Sequence, residues 1–491
     1  MVPTLDRPRR PAGPPGRTGL ALPLVGLGVL FVAGAGLARG GTAAYLTLAC
    51  GAGALLLPLF RRIGWPALLA WVTITAVAYP FVRFPYRESV VTFDRVWIVG
   101  LMGLFLLPGG IRGGTPWTAP SRRLGLAIAW LLAAFGARAV FTGGDELTAL
   151  GRWFDAIVLP AVLFAATRVL VVTEARVRNV LGALTVTGCV IAAVAVAQRI
   201  LGFDLARSSG GAVRFDPAID QIRVSGPYPG PEVLAVALLA CLAATLGWVL
   251  LRGRPAYLLG AAAASLQVAA IGLTLFRAAW ISALAVVVVV LGIRPRQTAR
   301  GVGVAAVVGL VVFSAFLRFG DNPTVATRLN DTKNVNGRFA THEVALELFG
   351  RSPLVGAGVD QFYRASASVP GTYVGGTRSL RYPHSSYMGV LAEQGLFGFV
   401  PFVAVTVAAW WMVHVLRRRA RSATDTVLAA AVAAGVLAYW FMSLSLTMLP
   451  YGPSNAFLAL LLGAGAGRLD ALEAEAPEQP APEARVAAVS G

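Results

Sequence analysis

Apolar segments long enough to cross a lipid bilayer recur along the chain from residue 20 to residue 468. A membrane-spanning helix needs about 20 mostly apolar residues, so each segment is a candidate span. The predicted spans are 20–38, 42–60, 64–82, 96–111, 124–141, 154–172, 179–201, 231–251, 255–276, 278–293, 301–319, 385–415, 425–447 and 453–468. Two short segments could be re-entrant instead. The pattern predicts an all-α polytopic membrane protein with about 12–14 transmembrane helices.

The composition excludes an ordinary soluble protein. Of 491 residues, 57% are hydrophobic and only 13% are charged, which is more apolar side chain than one soluble core could bury. A net charge of +19 would favour nucleic-acid binding in a soluble chain. Here the arginines mostly stand at the ends of apolar segments, where they indicate membrane orientation. Cys50, Cys189 and Cys241 lie within apolar segments without metal-site spacing, so we interpret them as core residues.

Clusters of arginine fall on alternate connections between the predicted spans. They lie at 61–62, 112–123, 176–178, 252–254, 294–300 and 417–421. Because arginine is enriched in short cytoplasmic loops, these connections and both termini are predicted to be cytoplasmic. The register then places the connections 83–95, 142–153, 202–230 and about 320–384 on the outer face.

This register divides the chain into five parts. Residues 1–19 form a basic cytoplasmic N-terminus; a cleaved signal peptide is the alternative, although no clean cleavage site follows the apolar segment. Residues 20–319 are a first transmembrane bundle, 320–384 one large extracytoplasmic loop, and 385–468 the C-terminal transmembrane helices. The Ala/Glu/Pro-rich residues 469–491 are predicted to be a disordered cytoplasmic tail.

Two arginines on the outer face call for a partner. Arg277, in "LTLFRAAWIS", lies between two spans with almost no loop, and Arg223 leads into a span through Gly and Pro. A guanidinium at that depth is costly unless it meets water, a carboxylate or an anion. Its planar fork binds phosphate oxygens in a bidentate way. We interpret Arg277 as part of an anion site, with snorkelling at a helix end as the alternative, and Arg223 remains open between the two.

The large loop contains a predicted helix, "NGRFATHEVALELFG", at residues 336–350. Phe339, Val344, Leu346 and Phe349 give it a partly apolar face, and Gly350 is a typical stop. A surface helix lying on the membrane is the favoured interpretation for His342, which shares a face with Arg338.

The loop continues as "RSPLVGAGVDQFY", in which Pro353, Gly356 and Gly358 predict a tight turn with close backbone approach. Such a turn could cradle a ligand or serve packing alone.

The stretch "YPHSSYMGVLAEQGLFGF", residues 382–399, opens the next span and holds one of only three histidines, His384. His384 and Ser385, nine further residues, then Gly395 and Gly398 form the pattern H-[NSQ]-x9-G-x-x-G. With "LTLFRAAW" and "SPLVGAGVDQF", this stretch resembles the O-antigen ligase and O-antigen polymerase (Wzy-C-like) superfamily, over about residues 270–400.

The resemblance implies a GT-C-like membrane glycosyltransferase. Its donor would be a glycan on undecaprenyl pyrophosphate, and its acceptor a hydroxyl on a saccharide or lipid-linked sugar. His384 and Arg338 would be catalytic, Arg277 and Arg223 would bind pyrophosphate, and Gly395 and Gly398 would let a lipid tail or a helix approach. No cofactor and no metal are expected, and the localisation implied is the bacterial cytoplasmic membrane. A structural, capping role for His384 is the alternative.

Two other functions remain open. A lipid-linked glycan flippase or other transporter would share the spans and arginines but should carry ionisable residues deep in the membrane, for which Arg138, Arg168 and Glu393 are the candidates. A cell-wall polymerase of the shape-and-division type would need a catalytic carboxylate in the outer loop, and Asp331, Glu343 and Asp360 are available.

The orientation gives a first testable prediction. A topology reporter fused after residue 421 should read cytoplasmic, and one inserted near residue 370 should read external, because arginine-rich connections stay in the cytoplasm. Reporter activity in whole cells measures this. A cytoplasmic reading at residue 370 would contradict the register and remove the proposed outer-face site.

Overall fold

The computed structural model describes residues 59–60, 62–78, 83–84, 91–106, 115–141, 146–203, 215–216, 221–252, 256–292, 333–369 and 382–475. The predicted spans 20–38 and 301–319, most of 42–60, and the tail beyond 475 lie outside these residues, so the total number of spans stays a prediction.

The described part of the chain is a bundle of helices. They are α1 (Gly64–Ala78), α2 (Phe93–Leu106), α3 (Ala119–Phe141), α4 (Glu146–Trp153), α5 (Leu159–Leu170), α6 (Glu174–Leu201), α7 (Pro231–Arg252), α8 (Tyr257–Leu273), α9 (Arg277–Leu291), α10 (Lys333–Arg351), α11 (Phe362–Ser366), α12 (Ser386–Arg419), α13 (Ala423–Ser445) and α14 (Gly452–Ala474). A π-helical turn, Phe154–Val158, joins α4 to α5. Two antiparallel pairs of two-residue strands, β1 (Arg83–Phe84) with β2 (Val91–Thr92) and β3 (Phe215–Asp216) with β4 (Gln221–Ile222), lie in the connections.

Seven helical segments of this part are long and apolar enough to cross a membrane, and three apolar helices, α1, α8 and α9, are shorter. The prediction of an all-α polytopic membrane protein is confirmed. Helix α7 lies at the centre, where it packs against α6, α8, α9, α13 and α14. The arginine register predicts that the first turns of α7, α9 and α12 all lie toward the outer face.

Buried ion pairs hold the opposite end together. Arg168 at the end of α5 contacts Asp470 of α14 at 2.7 Å and lies over the Trp117 ring. Arg468, also on α14, contacts Asp425 of α13 at 2.7 Å. Both carboxylates are fully buried, so removing one partner would leave a charge uncompensated, which typically costs about 3–5 kcal/mol. At this end of the bundle, the charged residues of these two ion pairs therefore have a structural role.

Two boundaries differ from the sequence prediction. The last helix continues to Ala474, so residues 469–474 belong to the bundle and not to a disordered tail. Asp470 explains this, because its carboxylate also accepts hydrogen bonds from the Thr118 backbone and the Ser121 hydroxyl. In addition, α12 is broken at Gly395, whose backbone is not helical.

Helix α10 was predicted at residues 336–350 and spans 333–351, but its buried face differs from the predicted one. Val344, Ala345 and Leu348 pack against Phe362 and Ala392. Phe339 and Leu346 are 63% and 50% exposed instead. The loop helix is therefore docked on α11 and α12, with its own small core.

Candidate functional site

A tight turn presents Arg277 at the end of the bundle that the arginine register predicts to face outward. Leu275, between α8 and α9, has a positive φ of 54°, which costs a non-glycine residue about 1 kcal/mol. The Arg223 guanidinium spans this turn, because its Nε donates to the Thr274 carbonyl at 2.9 Å. Arg277 follows as the first residue of α9, partly buried. Arg223 thus fixes the turn that positions Arg277.

Arg338, on the second turn of the loop helix α10, joins the same charge cluster. Burial, then the nearby charges of Arg277 and Arg223, lower the pKa of its guanidinium, while the carboxylate of Glu232 acts in the opposite direction. Glu232 lies in the first turn of α7 and its Oε1 is 3.5 Å from Arg223 Nη1. Three arginines from three separate segments therefore lie within electrostatic reach of one another, with one carboxylate among them. We call these four residues the arginine cluster.

A hydrogen bond ties α10 to the segment that carries His384. The Thr341 hydroxyl donates to the Pro383 carbonyl at 3.2 Å, in a buried position. Thr341 is three residues after Arg338 on the helix, and its single hydroxyl proton is shared with the Arg338 carbonyl at 2.8 Å, so the contact with Pro383 is the weaker of the two. The backbone next to His384 is consequently anchored about one helical turn from Arg338.

His384 itself has a constrained backbone. Its φ is 51°, in the left-handed region that few non-glycine residues adopt. Ser385 follows as the N-cap of α12, accepting from the Met388 backbone. The Ser386 hydroxyl donates to Leu446 O and accepts from Met448 N at 2.9 and 2.8 Å, which fixes the segment to the connection after α13. Positive φ values at functional sites are one sign of a preorganised geometry.

The predicted close approach at Gly356 and Gly358 occurs at the break in α12. Gly356 and Gly395 both have positive φ, and a Cβ on either would lie 2.4–2.5 Å from backbone atoms of the other segment. Leu396 N and Phe397 N donate to the carbonyls of Pro353 and Leu354 at 2.8 and 2.9 Å.

On the other side of the break, the N–H groups of Ala357 and Gly358 donate to the Ala392 and Glu393 carbonyls, both at 2.8 Å. The loop thus satisfies the backbone groups that the break frees. What approaches Gly395 is the loop backbone, where the sequence led us to expect a lipid tail or a helix. A helix does reach Gly398, because Phe135 of α3 lies beside it.

Charged residues also hold this junction together through side-chain contacts. Glu393 accepts from Phe362 N at 3.2 Å, Arg138 donates to the Gly356 carbonyl at 3.3 Å, and Arg152 forms an ion pair with Asp360. Three of the residues considered for transport or carboxylate catalysis, Glu393, Arg138 and Asp360, therefore hold the loop in place.

The structure brings Arg223, Arg277 and Arg338 together, and it anchors the His384 segment to the helix that bears Arg338. Sequence reasoning missed Glu232 and Thr341. An acidic residue in the first turn of an apolar span was the available signal for Glu232. Nothing in the sequence singled out Thr341.

His342 is partly buried on α10, and its position at the membrane surface stays a prediction. Its Nε2 is buried and has no hydrogen-bond partner among the described residues. Burial and the nearby Arg338 lower the pKa of its imidazole, which keeps it neutral near pH 7.

Residues 261–403 match the sequence model of the O-antigen ligase (Wzy_C) family. The match includes Arg277, Arg338, the 353–358 junction, His384 and Gly395. Over these residues the chain is similar to the O-antigen ligase family. The resemblance found in the sequence is thus confirmed, and the matched region corresponds to the part of the bundle that holds most of the candidate site. No curated protein matches the chain.

The junction between residues 353–358 and the break at Gly395 yields a testable prediction. Gly395→Ala should lower the thermal stability of the purified protein in detergent, because a Cβ would lie 2.5 Å from the Leu354 carbonyl carbon at a φ and ψ of 57° and −157°. Such backbone strain costs about 1–3 kcal/mol before the clash is counted.

The matched control is Gly350→Ala, on the exposed end of α10, where a Cβ meets nothing within 4 Å. Limited proteolysis should also cut the loop faster in Gly395→Ala. Equal melting temperatures for both variants would contradict the junction as an anchor of the loop.

Proposed function

We propose that this protein is a glycosyltransferase that transfers or polymerises a glycan from an undecaprenyl-pyrophosphate donor onto a hydroxyl acceptor. It would act at the outer face of the bacterial cytoplasmic membrane, on a saccharide or lipid-linked sugar. The observation that carries this proposal is the arginine cluster, held beside the His384 segment in a chain that is similar to the O-antigen ligase family over residues 261–403.

The arginines suit the leaving group of such a reaction. When the bond between the anomeric carbon and the pyrophosphate oxygen breaks, the bonding pair leaves with the pyrophosphate, whose negative charge grows. Guanidinium groups fixed before the reaction stabilise that charge without reorganisation, and each can bind two phosphate oxygens. Their position near the apolar bundle strengthens the attraction. In this proposal the positive charges stabilise the leaving group without a metal ion.

His384 suits the other half of the reaction. The acceptor oxygen attacks the anomeric carbon as the hydroxyl proton leaves, and an imidazole can accept a proton near neutral pH. His384 would either take that proton or orient the hydroxyl. Its positive φ and the hydrogen bonds made by the neighbouring Pro383, Ser385 and Ser386 would hold the imidazole in one place relative to the donor.

The other two functions find less support in the contacts. Arg168 is paired with Asp470, and Arg138 and Glu393 bind loop backbone, so the candidates for coupled transport have structural partners. Of the carboxylates considered for a cell-wall polymerase, Asp360 pairs with Arg152 and Glu343 is exposed on α10. Asp331 lies outside the described residues.

Arg277 tests the donor site. In the purified full-length protein, Arg277→Ala should weaken binding of farnesyl pyrophosphate, used as a short donor probe, by about 2–4 kcal/mol, or roughly 30- to 1000-fold. Arg277→Lys should restore only part of the affinity, since an ammonium cannot reproduce the bidentate fork. Isothermal titration calorimetry measures both.

The control for Arg277 is Arg364→Ala, which removes an exposed arginine of α11 and should leave the affinity unchanged. Full affinity in Arg277→Ala would refute the pyrophosphate role and favour snorkelling at the helix end.

His384 tests the chemistry. His384→Ala should insert and accumulate normally and bind farnesyl pyrophosphate, yet transfer glycan from the host's lipid-linked donor about 10²–10⁴ times more slowly, as is typical for loss of a general base. Gel analysis of glycan transfer in proteoliposomes gives the rate. His384→Asn separates two roles: recovered transfer would indicate orientation of the acceptor, and lack of recovery would indicate proton transfer.

His414→Ala, in the exposed end of α12 far from the site, is the matched control and should transfer normally. Unchanged transfer in His384→Ala, or failure of that variant to accumulate, would mean that the histidine is structural.

A further inference from the structure

Glu232 places a negatively charged side chain in a site that is proposed to bind an anion. Its residue is 6% exposed, and its Oε1 lies 3.5 Å from Arg223 Nη1. Its Oε2 folds back over the N-terminus of α7, where the absence of a side chain at Gly230 makes room: a Cβ there would lie 2.9 Å from Oε2. The partial positive charge of a helix N-terminus stabilises an acid in this position. Glu232 is therefore held in the arginine cluster from two sides.

The carboxylate sets the charge of the cluster. Three guanidinium groups and one carboxylate leave these four residues with a net charge of +2. Without Glu232 the same cluster would carry +3. Because all four groups lie at the low-dielectric edge of the bundle, such a difference of one unit changes the affinity for anions of different charge.

Donor and product differ by one charge in the proposed reaction. The pyrophosphate of a lipid-linked glycan is esterified at both ends and carries two negative charges. Transfer breaks the bond to the sugar and leaves a lipid pyrophosphate with a free terminal phosphate. Since the second pKa of a terminal phosphate is about 6, the product carries close to three negative charges at neutral pH. A +2 cluster neutralises the donor, and a +3 cluster would neutralise the product.

We propose that Glu232 determines the specificity of the site for donor over product, by matching the charge of the arginine cluster to a doubly esterified pyrophosphate and so limiting retention of the released lipid pyrophosphate. This inference rests on the proposed function. Glu232 acts through the charge of the arginine cluster, and it takes no proton from the acceptor.

Two probes that differ by one charge test the idea on the full-length protein in nanodiscs. One is farnesyl pyrophosphate, and the other is its methyl ester on the terminal phosphate. Glu232→Gln should increase the preference for the free pyrophosphate over the ester at least about fivefold, because one unit charge at about 4 Å has that effect in bulk water and a larger one where the dielectric constant is lower. Glu347→Gln, which removes an exposed carboxylate of α10 paired with Arg351, should leave the preference unchanged.

A double variant separates charge from geometry and also covers misfolding of the single one. Arg223→Gln alone lowers the cluster charge to +1 and should reduce the preference for the free pyrophosphate at least about fivefold. Arg223→Gln with Glu232→Gln restores +2 and removes the buried pair together, so it should fold and return the preference to that of the unmodified protein, although both probes bind more weakly.

The outcomes are distinct. One outcome is that the preference measured for Glu232→Gln or for the double variant differs from the one that charge matching predicts, while Arg277→Ala still weakens binding of both probes. In that case the proposed role of Glu232 is wrong and the proposed function stands. If the unmodified protein binds neither probe, or Arg277→Ala changes neither affinity, the proposed function and this inference are both wrong.

Discussion

Mutual repulsion of partly buried arginines is the constraint on which the candidate site depends. Arg223, Arg277 and Arg338 come from three separate segments and lie close enough for two of them to lower the pKa of the third. Side chains of like charge do not remain together at the edge of an apolar bundle unless other contacts hold them and an opposite charge compensates. Glu232 supplies one such charge, and the proposed anionic donor supplies the rest.

The contacts that hold the cluster are mostly made by the backbone and lie away from the charges. The turn at Leu275 aims Arg277, and the hydrogen bond from Thr341 to Pro383 connects α10 with the start of α12. The break at Gly395 then locks the loop into the helix through four backbone hydrogen bonds. These contacts hold α10 against α12, so the positions of Arg338 and His384 depend on each other. Substitutions at the junction should therefore disturb both residues together.

The sequence predicted the features that follow from local pattern. Apolar length identified the seven described helical segments that are long enough to cross a membrane, and Gly350 placed the end of α10 within one residue. A close backbone approach at Gly356 and Gly358 was predicted, but the segment that they approach was not. The break at Gly395 depends on contacts with residues about 40 positions earlier in the chain. The same reason hid the helix at 469–474, where Asp470 is stabilised by Arg168, some 300 residues away. Arg277 was identifiable since it interrupts apolar sequence, whereas Thr341 resembles any helical threonine until its partner is known.

We propose that the arginine cluster binds pyrophosphate beside His384. An electron cryo-microscopy structure of the full-length protein in nanodiscs with undecaprenyl pyrophosphate tests it most directly. We expect density for the pyrophosphate between the guanidinium groups of Arg223, Arg277 and Arg338, with the terminal phosphate directed toward His384 and the lipid tail in the bilayer. Pyrophosphate bound at another surface, or density in the cluster that leaves the arginines without contact to phosphate, would contradict it.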